Sequence, residues 1–260
     1  MRILMTGANG TVGAPLKAYF ESQGHEVIGW NRKEVPILEY QPMEDFVRQI
    51  KPNVLYHLAI PSTHTGRENE SWLVNYEWTS ELAWITKIFQ IKFIFTSTAM
   101  VFSDAAKGPF TIQSKPDAES GYGYEKRLAE ARSVFQNPST IVARLGWQIG
   151  EKAGTNNMID FFDRKMKTDG EIVASKKWLP ACSFQIDTVH ALAKLMDFPP
   201  GLYLIDSNRK SSFYEIATAL NKRHGNRWSI KPGEHFVFDQ RMIDERLAVP
   251  PLSVHLPELI

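Results

Sequence analysis

The feature that most constrains this chain is Thr6-Gly7-Ala8-Asn9-Gly10-Thr11-Val12-Gly13, a G-x-x-G-x-x-G run directly after its first apolar segment. Residues 2–6 read as a strand. Residues 12–23 carry Val12, Leu16, Tyr19 and Phe20 at helical spacing and stop at Gly24. A tight strand-to-helix turn needs a residue without Cβ clashes. Close approach of the backbone to an anion needs another. The helix N-terminus then offers unpaired N–H groups. A second strand, 26–30, follows about 20 residues on, as in a mononucleotide-binding βαβ unit. The loop is predicted to hold a pyrophosphate.

The alternation continues. Strands are predicted at 53–58, 92–97 and 140–145, with helices at 43–50, 70–89 and 119–135. Crossovers of this length imply an α/β fold, a doubly wound parallel sheet with helices on both faces. Beyond residue 150 the pattern loosens: helices at 156–167, 187–196 and 211–223, short strands at 171–174 and 201–205, then pieces broken by Pro232, Pro250 and Pro251. The expected division is a dinucleotide-binding domain at 1–150 and a smaller α+β substrate lobe at 151–260, with chain exchange between the lobes allowed.

Composition narrows the class. The 260 residues carry 30 Lys+Arg against 29 Asp+Glu, a net +1, which argues against nucleic acid or an anionic membrane as partner. A hydrophobic fraction of 43% supplies a full core. The lone Cys182 allows neither an intrachain disulfide nor a Cys-rich zinc site, and the seven histidines show no metal spacing. No apolar run reaches the length of a membrane span, and MRILMTGANG does not read as a signal peptide. The expectation is a cytoplasmic enzyme, with no residues assigned to a metal.

The end of the second strand bears on the cofactor. A carboxylate there would hold a ribose 2′-hydroxyl, and an arginine would favour a 2′-phosphate. The chain reads Val27-Ile28-Gly29-Trp30-Asn31-Arg32-Lys33, with no acid. NADP(H) is therefore the expected cofactor and NAD(H) the alternative. Arg32 is the expected contact, with Asn31 beside it.

Tyr122 and Lys126 lie four apart on a predicted helix and share its face. Alone, such a pair means little. This one opens the helix after the fourth strand, and that strand ends Thr96-Ser97-Thr98. Ligands of parallel sheets bind at the carboxyl ends of strands, so a hydroxyl and a Tyr–Lys pair can converge there on one carbonyl. The expected division of labour gives Thr98 a hydrogen bond to the substrate oxygen and Tyr122 the proton transfer. Lys126 would lower the phenol pKa and hold the nicotinamide ribose.

Together the loop 6–13, His57-Leu58-Ala59, Asn75, Ser97-Thr98 and Tyr122-x-x-x-Lys126 resemble an extended short-chain dehydrogenase/reductase. The resemblance narrows to the dTDP-4-dehydrorhamnose reductase branch. Ser97-Thr98-Ala99-Met100-Val101-Phe102 matches S-T-D-Y-V-F except at its third and fourth positions. Tyr122-Gly123, Lys126 and Glu130 match Y-G-x-x-K-x-x-x-E, and Arg144, Trp147 and Gly150 match R-x-x-W-x-x-G. Ser212-Phe213-Tyr214-Glu215-Ile216-Ala217 echoes S-W-Y-E-F-A, and Arg241 to Asp244 loosely echo R-x-x-L-D. The resemblance implies that Gly7, Asn9, Gly10, Thr11, Val12, Leu58 and Ala59 hold the dinucleotide. It makes Tyr122 the catalytic acid, Lys126 its partner and Thr98 the holder of the substrate oxygen. Ala99 and Trp147 would face the sugar.

The departures are Ala99 and Met100 where the branch has Asp and Tyr, and Lys176-Lys177-Trp178 where it is acidic and amide-bearing. The expected activity is NADPH-dependent reduction of a 4-keto-6-deoxy nucleotide sugar, in a chain for which the resemblance allows a homodimer. A dehydratase would need an acid–base pair where Ala99-Met100 stand. A cofactor-recycling C4 epimerase remains an alternative, as does a non-catalytic subunit like the regulatory partner of methionine adenosyltransferase.

His57, His64 and His190 read as core or loop histidines. Trp72, Trp78 and Trp84 do not keep one helical face and are expected to divide between core and interface. Trp178 and Trp228 have no assigned role, and Cys182 reads as a buried filler.

Overall fold

The structure is a computed structural model that describes residues 1–61, 66–154 and 156–259; His64 lies outside them. In chain order the main elements are β1 (Arg2–Thr6), α1 (Gly13–Ser22), β2 (Glu26–Gly29), α2 (Tyr40–Ile50), β3 (Val54–His57), α3 (Glu70–Trp72), α4 (Trp78–Ile88), β4 (Lys92–Thr98), α5 (Gly121–Gln136), β5 (Ile141–Leu145), β6 (Trp147–Ile149), α6 (Met158–Thr168), β7 (Ile172–Ser175), β8 (Trp178–Leu179), β9 (Cys182–Phe184), α7 (Gln185–Lys194), β10 (Gly201–Ile205), α8 (Phe213–Arg223), β11 (Ile230–Gly233) and β12 (Phe238–Asp239).

Six strands form one sheet in the order β10-β5-β4-β3-β1-β2, the doubly wound parallel arrangement expected. The β1–β2, β1–β3 and β3–β4 ladders are parallel, and Thr6 is in register with His57. The order reverses between β1 and β3, because β2 flanks β1 on one side and β3 on the other. That reversal opens a crevice at the carboxyl ends of β1 and β3.

Two local differences from the expected elements have simple causes. Helix α2 begins at Tyr40 rather than 43 and carries Pro42 in its first turn, where a missing N–H costs nothing. The 70–89 helix is not uniform: α3 passes through a π segment, Leu73–Glu77, before α4 resumes. Thr79 Oγ1 donates to the Asn75 carbonyl at 2.8 Å, satisfying an acceptor inside the altered register.

The chain divides into two compact units. The first comprises Met1–Ser103, Pro116–Arg144 and Leu192–Tyr203; the second comprises Asp104–Lys115, Leu145–Ala191 and Leu204–Ile260. In the first, Leu4, Leu55, Phe93 and Phe95 from the sheet pack with Val74, Trp78 and Leu82. Of the three tryptophans in 70–89, Trp78 is buried, Trp84 is exposed, and Trp72 stacks on Tyr76 at 4.2 Å.

The second unit has three short parallel pairs, β7–β11, β8–β12 and β6–β9, packed with α6 and α8 around Phe162, Phe184, Phe213 and Trp228. Both helices start with capping boxes, Asn157 with Asp160 and Ser212 with Glu215. The second pair explains the Ser and Glu of the Ser212 to Ala217 motif. Trp228 donates to Asp163 at 2.8 Å and belongs to this core. Buried Asp206 accepts from the backbone N–H of Cys182, Asn208 and Met242 at 2.8–3.0 Å. Burial nevertheless raises its pKa to about 7. Cys182 is fully buried, and burial pushes its thiol up, as expected of a filler.

Candidate active site

The phosphate loop is built by contacts that exclude side chains. Gly7 has φ +66, and a Cβ there would lie 2.9 Å from the Ala59 nitrogen; a Cβ on Gly13 would lie 2.0 Å from the Gly7 carbonyl oxygen. Gly10 N–H donates to that carbonyl at 2.9 Å, closing the turn. Helix α1 then begins with no acidic residue in its first turn, so the positive end of its dipole is not neutralised. Asn9, Thr11 and Val12 lie in the same loop.

Leu58 and Ala59 are held by a chain of hydrogen bonds. Their backbone N–H groups donate to Thr6 Oγ1 at 3.1 and 3.2 Å. Thr6 Oγ1 lies 2.8 Å from His57 Nδ1, and His57 Nε2 lies 3.0 Å from Thr79 Oγ1. Thr79 spends its own proton on the Asn75 carbonyl, so it accepts from His57 Nε2–H. His57 Nδ1 is then bare and accepts from Thr6. The ring is neutral: burial first, then the nearby Lys126, drive its pKa well below the usual value. His57 is thus a satisfied core histidine. His190 is exposed on α7.

After β2, Asn31 is exposed and its side chain serves its own turn, donating to Glu34 at 2.7 Å and accepting from Lys33 N–H. Arg32 Nη1 pairs with Glu70 Oε1 at 3.1 Å. Sequence reading did not find Glu70, which comes from 38 residues away.

Around the candidate catalytic set, Thr98 Oγ1 accepts from Met100 N–H at 3.1 Å. Among the described residues nothing takes the Thr98 proton. Ala99 is buried and Met100 is 53% exposed. Tyr122 is half-buried in the first turn of α5. Lys126, one turn on, is 1% exposed, with Nζ 4.2 Å over the Phe95 ring and no hydrogen-bond partner among the described residues.

The electrostatics correct one expectation. Lys126 does not pull the Tyr122 phenol down; burial and then Glu125 push it up. Burial also brings the Lys126 ammonium down to about 7, against the opposing pull of Glu130 and Glu125. An ammonium near neutrality cannot dominate its neighbour's titration. Glu125, also missed, accepts from Ser71 Oγ at 2.6 Å and Asn75 Nδ2 at 2.8 Å, tying α5 to the helix before it.

Trp147 lies in the second unit. Its backbone N–H donates to the Ala181 carbonyl at 2.8 Å, and its ring stacks on Trp178 at 6.0 Å. Among the described residues no cluster of three or more His, Cys, Asp or Glu could hold a metal ion, and no helix is long and apolar enough to cross a membrane.

The residues present fit a dinucleotide. The glycine loop is a cradle that a Cβ would fill, and the buried Lys126 Nζ has donors with no acceptor among the described residues.

Comparison with known proteins bears on the family and the fold. The family described as RmlD substrate binding domain matches residues 1–239. The chain is 24% identical over 227 residues to the spore coat polysaccharide biosynthesis protein SpsK of Bacillus subtilis, covering 86% of this chain and 80% of that protein. It is 26% identical over 271 residues to a dTDP-4-dehydrorhamnose reductase of Burkholderia thailandensis, covering 99% and 88%. Its fold matches a crystal structure of dTDP-4-dehydrorhamnose reductase from Bacillus anthracis in complex with NADP, with a TM-score of 0.83 at 18% identity over 99% of this chain and 98% of that one. The chain belongs to the RmlD substrate binding domain family.

Proposed function

We propose that this chain is an NADPH-preferring reductase of a 4-keto-6-deoxy nucleotide sugar. The family is one of NAD(P)-dependent oxidoreductases. The observation that carries the reading is Lys126: an amine buried without an acceptor costs stability, and such groups mark ligand sites. The names of the Burkholderia and Bacillus anthracis proteins support the substrate and the cofactor.

Gly7, Gly10 and the α1 N-terminus would bind the pyrophosphate, with Asn9, Thr11 and Val12 lining the loop. Leu58 and Ala59 would pack beside the adenosine half, and Arg32 would meet the 2′-phosphate, with Asn31 shaping its turn. A nicotinamide held there would supply a hydride to the sugar carbonyl carbon. Thr98 Oγ1–H donates to the carbonyl oxygen, which can only accept, while Thr98 Oγ1 itself accepts from Met100 N–H. Tyr122 gives its phenolic proton to the same oxygen, and its raised pKa keeps that proton in place until it is needed. Lys126 Nζ–H donates to the ribose. Ala99 and Trp147 would contact the sugar, and the protein would act as a soluble enzyme of the cytoplasm, free to dimerise.

The test is NADPH oxidation by purified protein with dTDP-4-dehydrorhamnose. Turnover that falls by about 10²–10⁴ in Tyr122→Phe is expected. Tight NADPH binding with no turnover would favour the regulatory-subunit reading, and turnover indifferent to Tyr122→Phe would remove the assigned acid.

A further inference from the structure

Arg32 and Glu70 form an ion pair of unequal exposure. The Arg32 side chain is 34% exposed, and the Glu70 side chain is 9% exposed. A carboxylate so far from water needs a cation, and Arg32 supplies one. The geometry points to Glu70 as the residue that sets how strongly this chain distinguishes a ribose 2′-phosphate from a ribose 2′-hydroxyl. This inference rests on the reductase reading, with Arg32 at the adenosine ribose.

A 2′-phosphate that approaches Arg32 also approaches Glu70. The guanidinium attracts it and the carboxylate repels it, so the pair presents almost no net charge. A 2′-hydroxyl meets no such conflict, because it can donate to the carboxylate and accept from the guanidinium. An arginine that already serves an anion is thus a weaker reader of phosphate than a lone arginine. Lys33, exposed beside Arg32, adds positive charge to the turn and keeps the balance on the side of NADPH. Sequence alone shows only the two cations of the turn, and therefore overstates the preference.

The experiment is a fluorescence titration of the full chain with NADPH and with NADH, read as the ratio of their dissociation constants. In the wild-type protein the ratio is expected to favour NADPH by less than about tenfold. Glu70→Gln keeps the shape and removes the charge; it is expected to move the ratio a further tenfold or so toward NADPH, through tighter NADPH binding. Glu70→Asp keeps the buried charge but draws it back by one methylene, and is expected to move the ratio in the same direction by less. If Glu70→Gln does not fold, the Asp variant and the wild-type ratio still decide. A wild-type preference above about a hundredfold, or a ratio unmoved or shifted toward NADH in the variants, overturns the role of Glu70. Failure of the wild-type chain to bind either nucleotide overturns the reductase reading itself.

Discussion

Glu130 and Arg144 meet in a buried two-pronged ion pair: Arg144 Nε reaches Oε1 at 2.9 Å and Nη2 reaches Oε2 at 2.7 Å. The pair fixes α5, which carries Tyr122 and Lys126, against β5. Removing one partner leaves a buried charge uncompensated. Arg144→Met is therefore expected to cost about 3–5 kcal/mol in denaturant unfolding, and Glu130→Leu with Arg144→Met to recover most of it. A single variant as stable as the wild type would contradict this.

Gly13→Ala tests the phosphate loop. The added methyl collides with the Gly7 carbonyl, so the turn must open where the pyrophosphate is expected to rest. NADPH affinity should fall by about a hundredfold or more, read by titration. Gly24→Ala, outside the loop at φ +77 with open space around it, should cost stability but leave affinity unchanged.

His57 gives a pH signature. Its folded pKa lies well below 6.5, so below about pH 6.5 the unfolded chain binds a proton that the native chain refuses. Stability contributed by the neutral ring is present above that pH and is lost as pH falls. The slope from this group develops as pH falls below about 6.5 and cannot exceed about 1.4 kcal/mol per pH unit. Unfolding free energies measured across that window should fall less steeply in His57→Gln, which is also expected to be less stable near neutrality. Equal slopes would refute the assignment.

Lys126→Met should separate stability from function. In the cofactor-free protein the variant removes a buried amine with no acceptor among the described residues, and a gain on the order of 1–3 kcal/mol is expected. NADPH should then raise its melting temperature far less than that of the wild type. A destabilised Lys126→Met protein would show that the amine serves the fold rather than a ligand.

Much of this was legible in the sequence because it is local. The glycine spacing follows from what one turn requires, and Tyr122 with Lys126 from one helical face. The order of strands and helices followed from their periods. What escaped depends on long-range register. Nothing near Thr6 announces His57; the β1–β3 ladder brings them together. Nothing near Arg32 announces Glu70, and the π segment around Asn75 has no sequence signature. The expected effect of Lys126 on the Tyr122 phenol failed for the same reason: spacing supplied the pair, but burial and Glu125 set the charges.

The most direct measurement is the fate of a labelled hydride. Purified protein, NADPH deuterated at the transferable position and dTDP-4-dehydrorhamnose would be combined and the product read by NMR. One deuteron is expected at sugar C4, and none after the same incubation with Tyr122→Phe. A sugar returned without deuterium by a protein that binds NADPH would contradict this.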